Sequence, residues 1–271
     1  MNWLIQRGFD SDRYYLELIS SLDRMGVAHT FCKVVPFSTA KEGLIIEDES
    51  ILNSPIYCYG SYTLSKHVVG RGYKPGAFIS NDSSLDNLLA HYGNYMLNSD
   101  MICGKLGSII PKLDNFFIKP MEDTKAFTAE VMNKDTFNKF VENIYNVSKN
   151  GFSTITLDTN VIISSIKEIN AEFRFFIVNG NVVTYSQYKI GDRVVYDPHV
   201  DEYIIKFAEK MVHLYEPDDA FVIDIAISND ELKVIEVNCI NSSGLYAINL
   251  PKLINAIDCI DLNYVRNSIF C

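Results

Sequence analysis

Residues 221–238 contain two short apolar stretches separated by a polar turn, and this pattern restricts the fold more than any other part of the sequence. Each stretch is apolar around isolated polar side chains, which is typical of a β-strand with a buried face. Two such strands with a short polar connection predict a β-hairpin. We expect a three-residue loop at 229–231, which sets Ser228 opposite Leu232.

This register places Asp224 directly opposite Glu236. Asn238 follows two residues later on the same face, because side chains along a strand alternate between its two faces. Two carboxylates and an amide oxygen on one sheet face are hard oxygen ligands of the kind that suits Mg²⁺. A two-residue loop would send Asp224 and Glu236 to opposite faces and would exclude the site.

Acidic residues of a hairpin more often belong to its solvated face, and this alternative has to be weighed against a metal site. Here Asp224 and Glu236 are flanked on both sides by apolar residues, among them Ile223, Ile225 and Ile235. Strands of this kind are buried in a sheet, and buried carboxylates are costly unless they are paired or bind a metal. The surroundings therefore favour a site.

The composition excludes several classes of protein. Of 271 residues, 48% are hydrophobic and 12% are aromatic, which indicates a globular chain of one large domain or two modest ones. The formal net charge of −10 argues against extensive nucleic-acid binding. The 6 cysteines and 5 histidines show no metal-ligand spacing, and no apolar stretch is long enough to span a membrane. We expect a cytoplasmic protein with reduced thiols, in a bacterial cell or a phage-infected host cell, and no membrane partner.

Residues 1–115 are predicted to form a small α/β lobe, which we assign to the substrate or partner side. Strands and helices alternate in this part of the sequence. The apolar residues of a helix at 11–26 recur with a period near 3.6, and Gly26 can end this helix. The other predicted elements are strands at 3–7, 28–35 and 55–61 and a helical stretch at 83–103.

Residues 116–271 have a different pattern and are predicted to form a nucleotide-binding and catalytic region. A segment with two glycines and a proline, 104–115, separates them from the first lobe. The pattern is α+β, with mostly antiparallel strands. The predicted elements are strands at 116–120, 152–156, 159–166, 173–178 and 181–187, helices at 134–149 and 199–215, and the hairpin at 221–238.

Two lysines in this region are placed to meet phosphate. Lys119 leaves an apolar strand directly before Pro120, and from this position a lysine can reach a phosphate as a point charge. A single lysine at a strand end is more often a surface residue. Lys125 lies in a polar turn that could fold over bound phosphates and offer backbone N–H groups as well as a second cation.

A second group of charged residues follows the apolar strand at 161–163. Glu172 and Arg174 are two residues apart on a predicted strand, so they share one face and can meet the same ligand or pair with each other. A structural ion pair on a sheet surface explains these two residues equally well. Lys189, which follows Tyr188, is a weaker candidate.

The order of these features resembles the ATP-grasp superfamily. The chain has, in order, a lysine in FIKP, a polar turn with a second lysine, an apolar hinge, E-x-R, an Asp-bearing strand and E-x-N. The resemblance covers residues 116–258 and implies an ATP-grasp fold, α+β with antiparallel sheets and with nucleotide held between two subdomains. It implies that Lys119 and Lys125 contact the phosphates and that Ser165 and Ile166 lie at the adenine hinge.

The same resemblance implies ATP and one or two Mg²⁺ ions as cofactors, with Asp224, Glu236 and Asn238 as metal ligands. Glu172 and Arg174 then belong to the nucleotide site. More narrowly, the chain is similar to a phage and bacterial clade named for one arginine and two lysines. The matching segments are D-x-K-x-F, E-x-R, E-x-N with S-S-G-L-Y, and upstream YGS (59–61), KPG-F (74–78) and MLNSD (96–100).

The activity that this resemblance implies is ATP-dependent ligation of a small-molecule or peptide carboxylate to an amine or another nucleophile through an acyl phosphate. Arg174 is the candidate for steadying the transferred phosphoryl group, with Lys189 as a helper. Asn241 and Ser243, just past the metal strand, are candidates for contacting the acceptor. Two alternatives stay open: a kinase on the same fold, and a non-catalytic ATP-binding module that recruits a partner. A metal-dependent hydrolase is less favoured, because it would not need the FIKP lysine.

Overall fold

The computed structural model describes residues 1–9, 13–35, 38, 42–79, 81–121, 127–148 and 155–262. The chain packs into two compact units. The first combines Met1–Gly93 with Ile169–Cys271, and the second is Asn94–Glu168. The functional division predicted near residue 115 is a different kind of boundary and stays a prediction. Within the described ranges, no helix combines the length and apolar character needed to cross a membrane.

The N-terminal part of the first unit is built around a five-stranded sheet in the order β3-β2-β1-β4-β5. Strand β1 pairs in parallel with both β2 and β4, β4 pairs in parallel with β5, and β3 is antiparallel to β2. The predicted α/β lobe is thus confirmed as an architecture. Its elements are β1 (Asn2–Gln6), α1 (Arg13–Met25), β2 (His29–Val34), β3 (Leu44–Ile46), β4 (Ile56–Tyr59), α2 (Tyr62–Gly70), β5 (Pro75–Gly76) and α3 (Leu85–Tyr92).

The long helix predicted at 83–103 is wrong. Helix α3 starts after Ser84, whose side chain accepts a hydrogen bond from the backbone N–H of Asn87, and it ends at Tyr92. Gly93 follows with φ of +50°, a conformation that stops a helix and that glycine adopts without strain. Residues 102–105 belong to a strand instead, because they pair with a later strand of the second unit.

The second unit contains a four-stranded antiparallel sheet in the order β6-β9-β7-β8. Its apolar core includes Phe116 and Ile118 of β7, so the FIKP strand packs one face inward. Of the strand predicted at 152–156, residues 152–154 lie outside the described residues, and 155–156 form no strand. The elements are β6 (Ile102–Lys105), β7 (Asn115–Pro120), β8 (Glu130–Asn133), α4 (Lys134–Ser148) and β9 (Asn160–Ser164).

The C-terminal part of the first unit forms a five-stranded antiparallel sheet in the order β12-β11-β10-β13-β14. Strands β10 and β13 lie side by side at the centre, and most of their residues are buried. Their apolar side chains share one core with β1, β4, α1 and the last helix. The elements are β10 (Ala171–Val178), β11 (Asn181–Ile190), β12 (Arg193–Asp197), α5 (Glu202–Leu214), β13 (Ala220–Ser228), β14 (Glu231–Cys239) and α6 (Leu250–Asp258).

Candidate functional site

The hairpin of β13 and β14 turns more tightly than the sequence pattern indicates. Its loop has two residues, Asn229 and Asp230, with φ of +50° and +62°. Positive φ at both central positions is the geometry of a tight hairpin turn whose twist matches the twist of its strands, and Asn and Asp tolerate it better than most residues. Ser228 therefore pairs with Glu231, and the predicted three-residue loop is wrong.

A β-bulge restores the pairing that the shorter loop would have destroyed. Ile225 pairs with Val234, whereas the next pair inward is Asp224 with Glu236, so Ile235 is an extra residue on β14. One extra residue shifts the register by one and returns the following side chains to the other face. The predicted pairing of Asp224 with Glu236 is thus confirmed, but by a bulge and not by the loop.

Asn238 joins the two carboxylates as predicted. Its Nδ2 donates a hydrogen bond of 2.8 Å to Oε1 of Glu236, which shows that the two side chains share a face of β14. The burial of the three groups differs, since Asp224 is 2% exposed and the other two are partly exposed. The acidic pair therefore joins a buried carboxylate to one within reach of solvent.

Arg174 forms a buried bidentate ion pair with Asp224. The two residues are directly opposite each other on β10 and β13, with Nε 2.9 Å from Oδ1 and Nη2 2.8 Å from Oδ2. Nη1 donates a third hydrogen bond, of 3.3 Å, to the carbonyl oxygen of Gly244. Burial raises the pKa of the Asp224 carboxyl, and the adjacent guanidinium opposes that rise. The carboxylate that the sequence assigns to metal is thus held by a cation of the same sheet.

Glu172 pairs with residues of β11 and not with Arg174. Its two carboxylate oxygens accept hydrogen bonds from the hydroxyl of Tyr188, at 2.7 Å, and from Nζ of Lys189, at 2.8 Å. Neighbouring side chains of a strand normally lie on opposite faces, but the register shifts here so that Tyr188 is an extra residue. This bulge allows two consecutive side chains to contact one carboxylate.

A stack of tyrosines lies against the Arg174–Asp224 pair. The rings of Tyr188 and Tyr246 are stacked with centroids 5.0 Å apart, and Tyr196 stacks on Tyr246 at 5.1 Å. The guanidinium carbon of Arg174 is 4.8 Å from the centroid of Tyr246 and 5.5 Å from that of Tyr188. Sequence reasoning missed this arrangement, and the one signal for it was the SSGLY segment that follows E-x-N.

In the second unit, Lys119 lies near the end of β7 and pairs with Ile162 of β9. It is partly exposed, on the face of the strand opposite the buried Ile118. Lys125 lies outside the described residues. The phosphate-binding roles of both lysines stay predictions.

The predicted hinge, Ser165–Ile166, is supported by the MLNSD segment of the same unit. Asp100 accepts the backbone N–H of Ser165 at 3.0 Å through Oδ2 and the ammonium of Lys167 at 2.8 Å through Oδ1. Burial pushes the pKa of Asp100 upward, but its bonds to Lys167 and Ser165 outweigh this effect and lower it. Since the N–H of Ser165 is used in this way, the backbone of Ile166, whose side chain is exposed, is the better candidate for contacting adenine.

Asn241 and Ser243 have structural contacts instead of the predicted contact with an acceptor. Asn241 is completely buried, accepts the backbone N–H of Phe78 at 2.9 Å, and donates to the carbonyl of Cys58 at 2.7 Å. Its own carbonyl accepts the N–H of Gly60. Ser243 is also buried and donates to the backbone of β14. These bonds explain why YGS, KPG-F and the segment after E-x-N occur together: they meet around one buried amide.

The three oxygen-bearing residues fit a magnesium ion in their chemistry. Among the described residues, no three His, Cys, Asp or Glu side chains gather as a metal-binding group, so the set rests on two carboxylates and an amide. Each Asp224 oxygen accepts one hydrogen bond from Arg174 and has a further lone pair. Asn238 uses Nδ2 toward Glu236, and its ligand atom would be the amide oxygen. All donors are hard oxygens, as Mg²⁺ prefers.

Comparison with known proteins places the whole arrangement in a family. Three solved structures share its fold, and at their low sequence identities the likeness concerns the fold alone. D-alanine–D-alanine ligase from Bacillus anthracis aligns with a TM-score of 0.58 at 16% identity, covering 95% of this chain and 92% of that one. D-cycloserine synthetase DcsG aligns at 0.58 and 13%, covering 94% and 98%. The ATP-grasp ligase PsnB complexed with minimal precursor aligns at 0.56 and 9%, covering 95% and 97%.

A search of curated protein sequences finds no significant match. The model of an ATP-grasp domain, family 3 of the clade named for one arginine and two lysines, matches residues 71–257, which is more than half of the chain. The match includes all the residues that the sequence assigned to nucleotide and metal. The chain therefore belongs to this ATP-grasp domain family, the third of that clade.

Proposed function

We propose that this protein is an ATP- and Mg²⁺-dependent ligase that joins a carboxylate to an amine or another nucleophile through an acyl phosphate. The observation that carries the proposal is the row of charged and polar side chains across three adjacent strands: Arg174 on β10, Asp224 on β13, and Glu236 with Asn238 on β14. Family membership supports the same conclusion, since its domain is named for ATP. Ligases also share the fold.

The nucleotide is assigned to residues that the sequence singled out. Lys119 and Lys125 would neutralise the phosphates as point charges. The backbone at Ser165 and Ile166 would pair with adenine, and the contacts of Asp100 support this hinge. Glu172 completes the set as a nucleotide contact.

Asp224, Glu236 and Asn238 would hold one or two Mg²⁺ ions. When bound, Mg²⁺ supplies positive charge that stabilises the phosphates during transfer. The chain's own contribution is to keep the ligands ready: Arg174 favours the ionised form of the buried Asp224, and Asn238 orients Glu236 through its Nδ2. Loss of either support should weaken metal binding without removing a ligand.

The proposed reaction has two steps. A substrate carboxylate oxygen attacks the γ-phosphorus of ATP, the bond to the bridging oxygen breaks, and ADP leaves. The acceptor nitrogen then attacks the acyl carbon, inorganic phosphate leaves, and the nitrogen loses a proton. Arg174 has five N–H donors, of which three are engaged in the structure, so two are available for the transferred phosphoryl group. Lys189 is the second candidate for this role.

The substrates are proposed by class: an amino acid or peptide as the carboxylate, and an amine as the acceptor. PsnB, with a related fold, is known in complex with a minimal precursor, and D-alanine–D-alanine ligase is named for an amino-acid ligation. Each is a precedent for this fold and does not identify the substrate of this chain.

The proposal is tested by incubating the purified protein with Mg-ATP and pools of amino acids, peptides and polyamines. ADP release is measured, and products are identified by mass spectrometry. A ligase yields ADP together with a product that equals its two substrates minus water. A product that carries a phosphoryl group would establish a kinase instead. Tight ATP binding with no ADP release in any pool would indicate the non-catalytic module.

A further inference from the structure

The SSGLY segment, residues 242–246, has no role in the proposed function so far, yet it ends in an unusual backbone conformation. Tyr246 has φ of +50°. A bulky residue in the left-handed region is strained, and such strain persists only where the surroundings impose it. Strained residues of this kind cluster at functional sites, so the position of the Tyr246 ring is the feature to explain.

The Tyr246 ring is fixed on both sides and lies over Arg174. Its faces stack between Tyr188 and Tyr196, at 5.0 and 5.1 Å, and the guanidinium carbon is 4.8 Å from its centroid. An aromatic face attracts a guanidinium, and more strongly where water is excluded. Arg174 is only 8% exposed. The stack therefore restricts the planar group that grips Asp224.

Gly244 is part of the same device. A Cβ at this position would lie 3.0 Å from Cε1 and 3.2 Å from Cζ of the Tyr246 ring, closer than side-chain carbons normally approach. The absence of a side chain thus allows the ring to occupy its place. The carbonyl of Gly244 also accepts the third hydrogen bond of Arg174, at 3.3 Å. Both ends of the segment act on one guanidinium.

We propose that Tyr246 is a positioning residue, which holds the Arg174 guanidinium in the plane that keeps the Asp224 carboxylate oriented for Mg²⁺. This inference rests on the proposed function, because it assigns Asp224 to the metal. The role needs the ring and its place in the stack. It does not need the hydroxyl, because the described contacts to Arg174 are made through the ring face.

The decisive variant is Tyr246→Asn. Asparagine tolerates positive φ, so it removes the ring without adding backbone strain. Tyr246→Phe keeps the ring, and Gly244→Ala keeps the tyrosine but pushes the ring away from its place. Tyr215→Asn is the matched control, because Tyr215 also stacks on a neighbouring ring at 3.9 Å, but that ring is His91 of helix α3.

The measurement is the Mg²⁺ concentration that gives half-maximal binding of a non-hydrolysable ATP analogue, together with the thermal unfolding midpoint. For Tyr246→Asn we expect this concentration to rise by about tenfold or more, as for the loss of a contact behind a metal ligand. Gly244→Ala should raise it by less. Tyr246→Phe and Tyr215→Asn should leave it close to wild type.

The two levels of the account fail in different ways. If the wild-type protein shows no Mg²⁺-dependent binding of the analogue, the proposed function is wrong. If wild type binds the analogue and folded Tyr246→Asn has the same Mg²⁺ dependence, Tyr246 does not position the metal site. Should Tyr246→Asn not fold, Gly244→Ala decides: an unchanged Mg²⁺ dependence refutes the inference, and a raised one supports it.

Discussion

Replacement of Arg174 by methionine is the perturbation that most directly probes the buried ion pair. The substitution keeps much of the side-chain volume and removes the charge. Asp224, which is 2% exposed and opposite Arg174, would lose both charge-assisted hydrogen bonds, of 2.9 and 2.8 Å. A buried carboxylate without a partner is costly, so the variant should be strongly destabilised near neutral pH.

The magnitude follows from the burial of both partners. Breaking a buried pair by removing one partner costs about 3–5 kcal/mol, mainly because the remaining charge is uncompensated. Burial already raises the pKa of Asp224 in the folded protein, and loss of the guanidinium removes the main opposing effect. A carboxyl whose pKa is raised on folding favours the folded state only while it is protonated. The destabilisation should therefore be small below the ordinary pKa of Asp and should grow as pH rises through the raised pKa.

The assay is urea unfolding of wild type, Arg174→Met and the double variant Arg174→Met/Asp224→Asn over a range of pH. The double variant removes the buried charge, so it should be more stable than Arg174→Met near neutral pH. Arg7→Met is the matched control, because Arg7 also holds a carboxylate, that of Glu47, in a bidentate pair, but on an exposed surface. Exposed pairs contribute little, and this variant should stay close to wild type.

The reasoning would be refuted by either of two results. One is an Arg174→Met protein as stable near neutral pH as Arg7→Met. The other is a destabilisation that Asp224→Asn does not relieve and that does not change with pH, since that result would assign the loss to packing.

Two further predictions concern other parts of the molecule. Asp100→Ala should raise the dissociation constant for ATP by about tenfold, the equivalent of one hydrogen bond to a charged group, because the hinge loses its support; Asp158→Ala, which breaks an exposed pair with Lys105 in the same unit, is the control, and equal affinities would contradict the role of Asp100. Maleimide at about pH 8, near the ordinary thiol pKa, should label the exposed Cys103 quickly in the folded protein and spare Cys58, since burial raises the pKa of the Cys58 thiol; peptide mapping that finds Cys58 labelled as fast as Cys103 would contradict the described burial.

The period-two pattern of 221–238 was sufficient to predict which side chains share a face, but not how the register arises. The turn is tighter than expected, because Asn229 and Asp230 both adopt positive φ. The bulge at Ile235 then corrects the register. An extra isoleucine in an apolar strand looks like any other core residue, so no local pattern distinguishes a bulge from continuous pairing.

The contacts that organise the candidate site depend on which strands are neighbours. Arg174 and Asp224 are 50 residues apart in sequence and meet only because β10 lies beside β13. Spacing along one strand suggested a link between Arg174 and Glu172, whereas the sheet gives Glu172 to β11. The order of motifs identified the family and its candidate ligands. Which charged residues pair with each other is a property of the sheet order.

The most direct test of the central claim compares Glu236→Ala with Glu231→Ala. Both substitutions remove a glutamate from β14, but Glu231 lies at the exposed end of the hairpin, where it pairs with Lys233. With a substrate found in the screen, Glu236→Ala should fold and yet produce no Mg²⁺-dependent ADP, while Glu231→Ala should match wild type. Normal ADP production by Glu236→Ala would contradict the assignment of this sheet face to Mg-ATP.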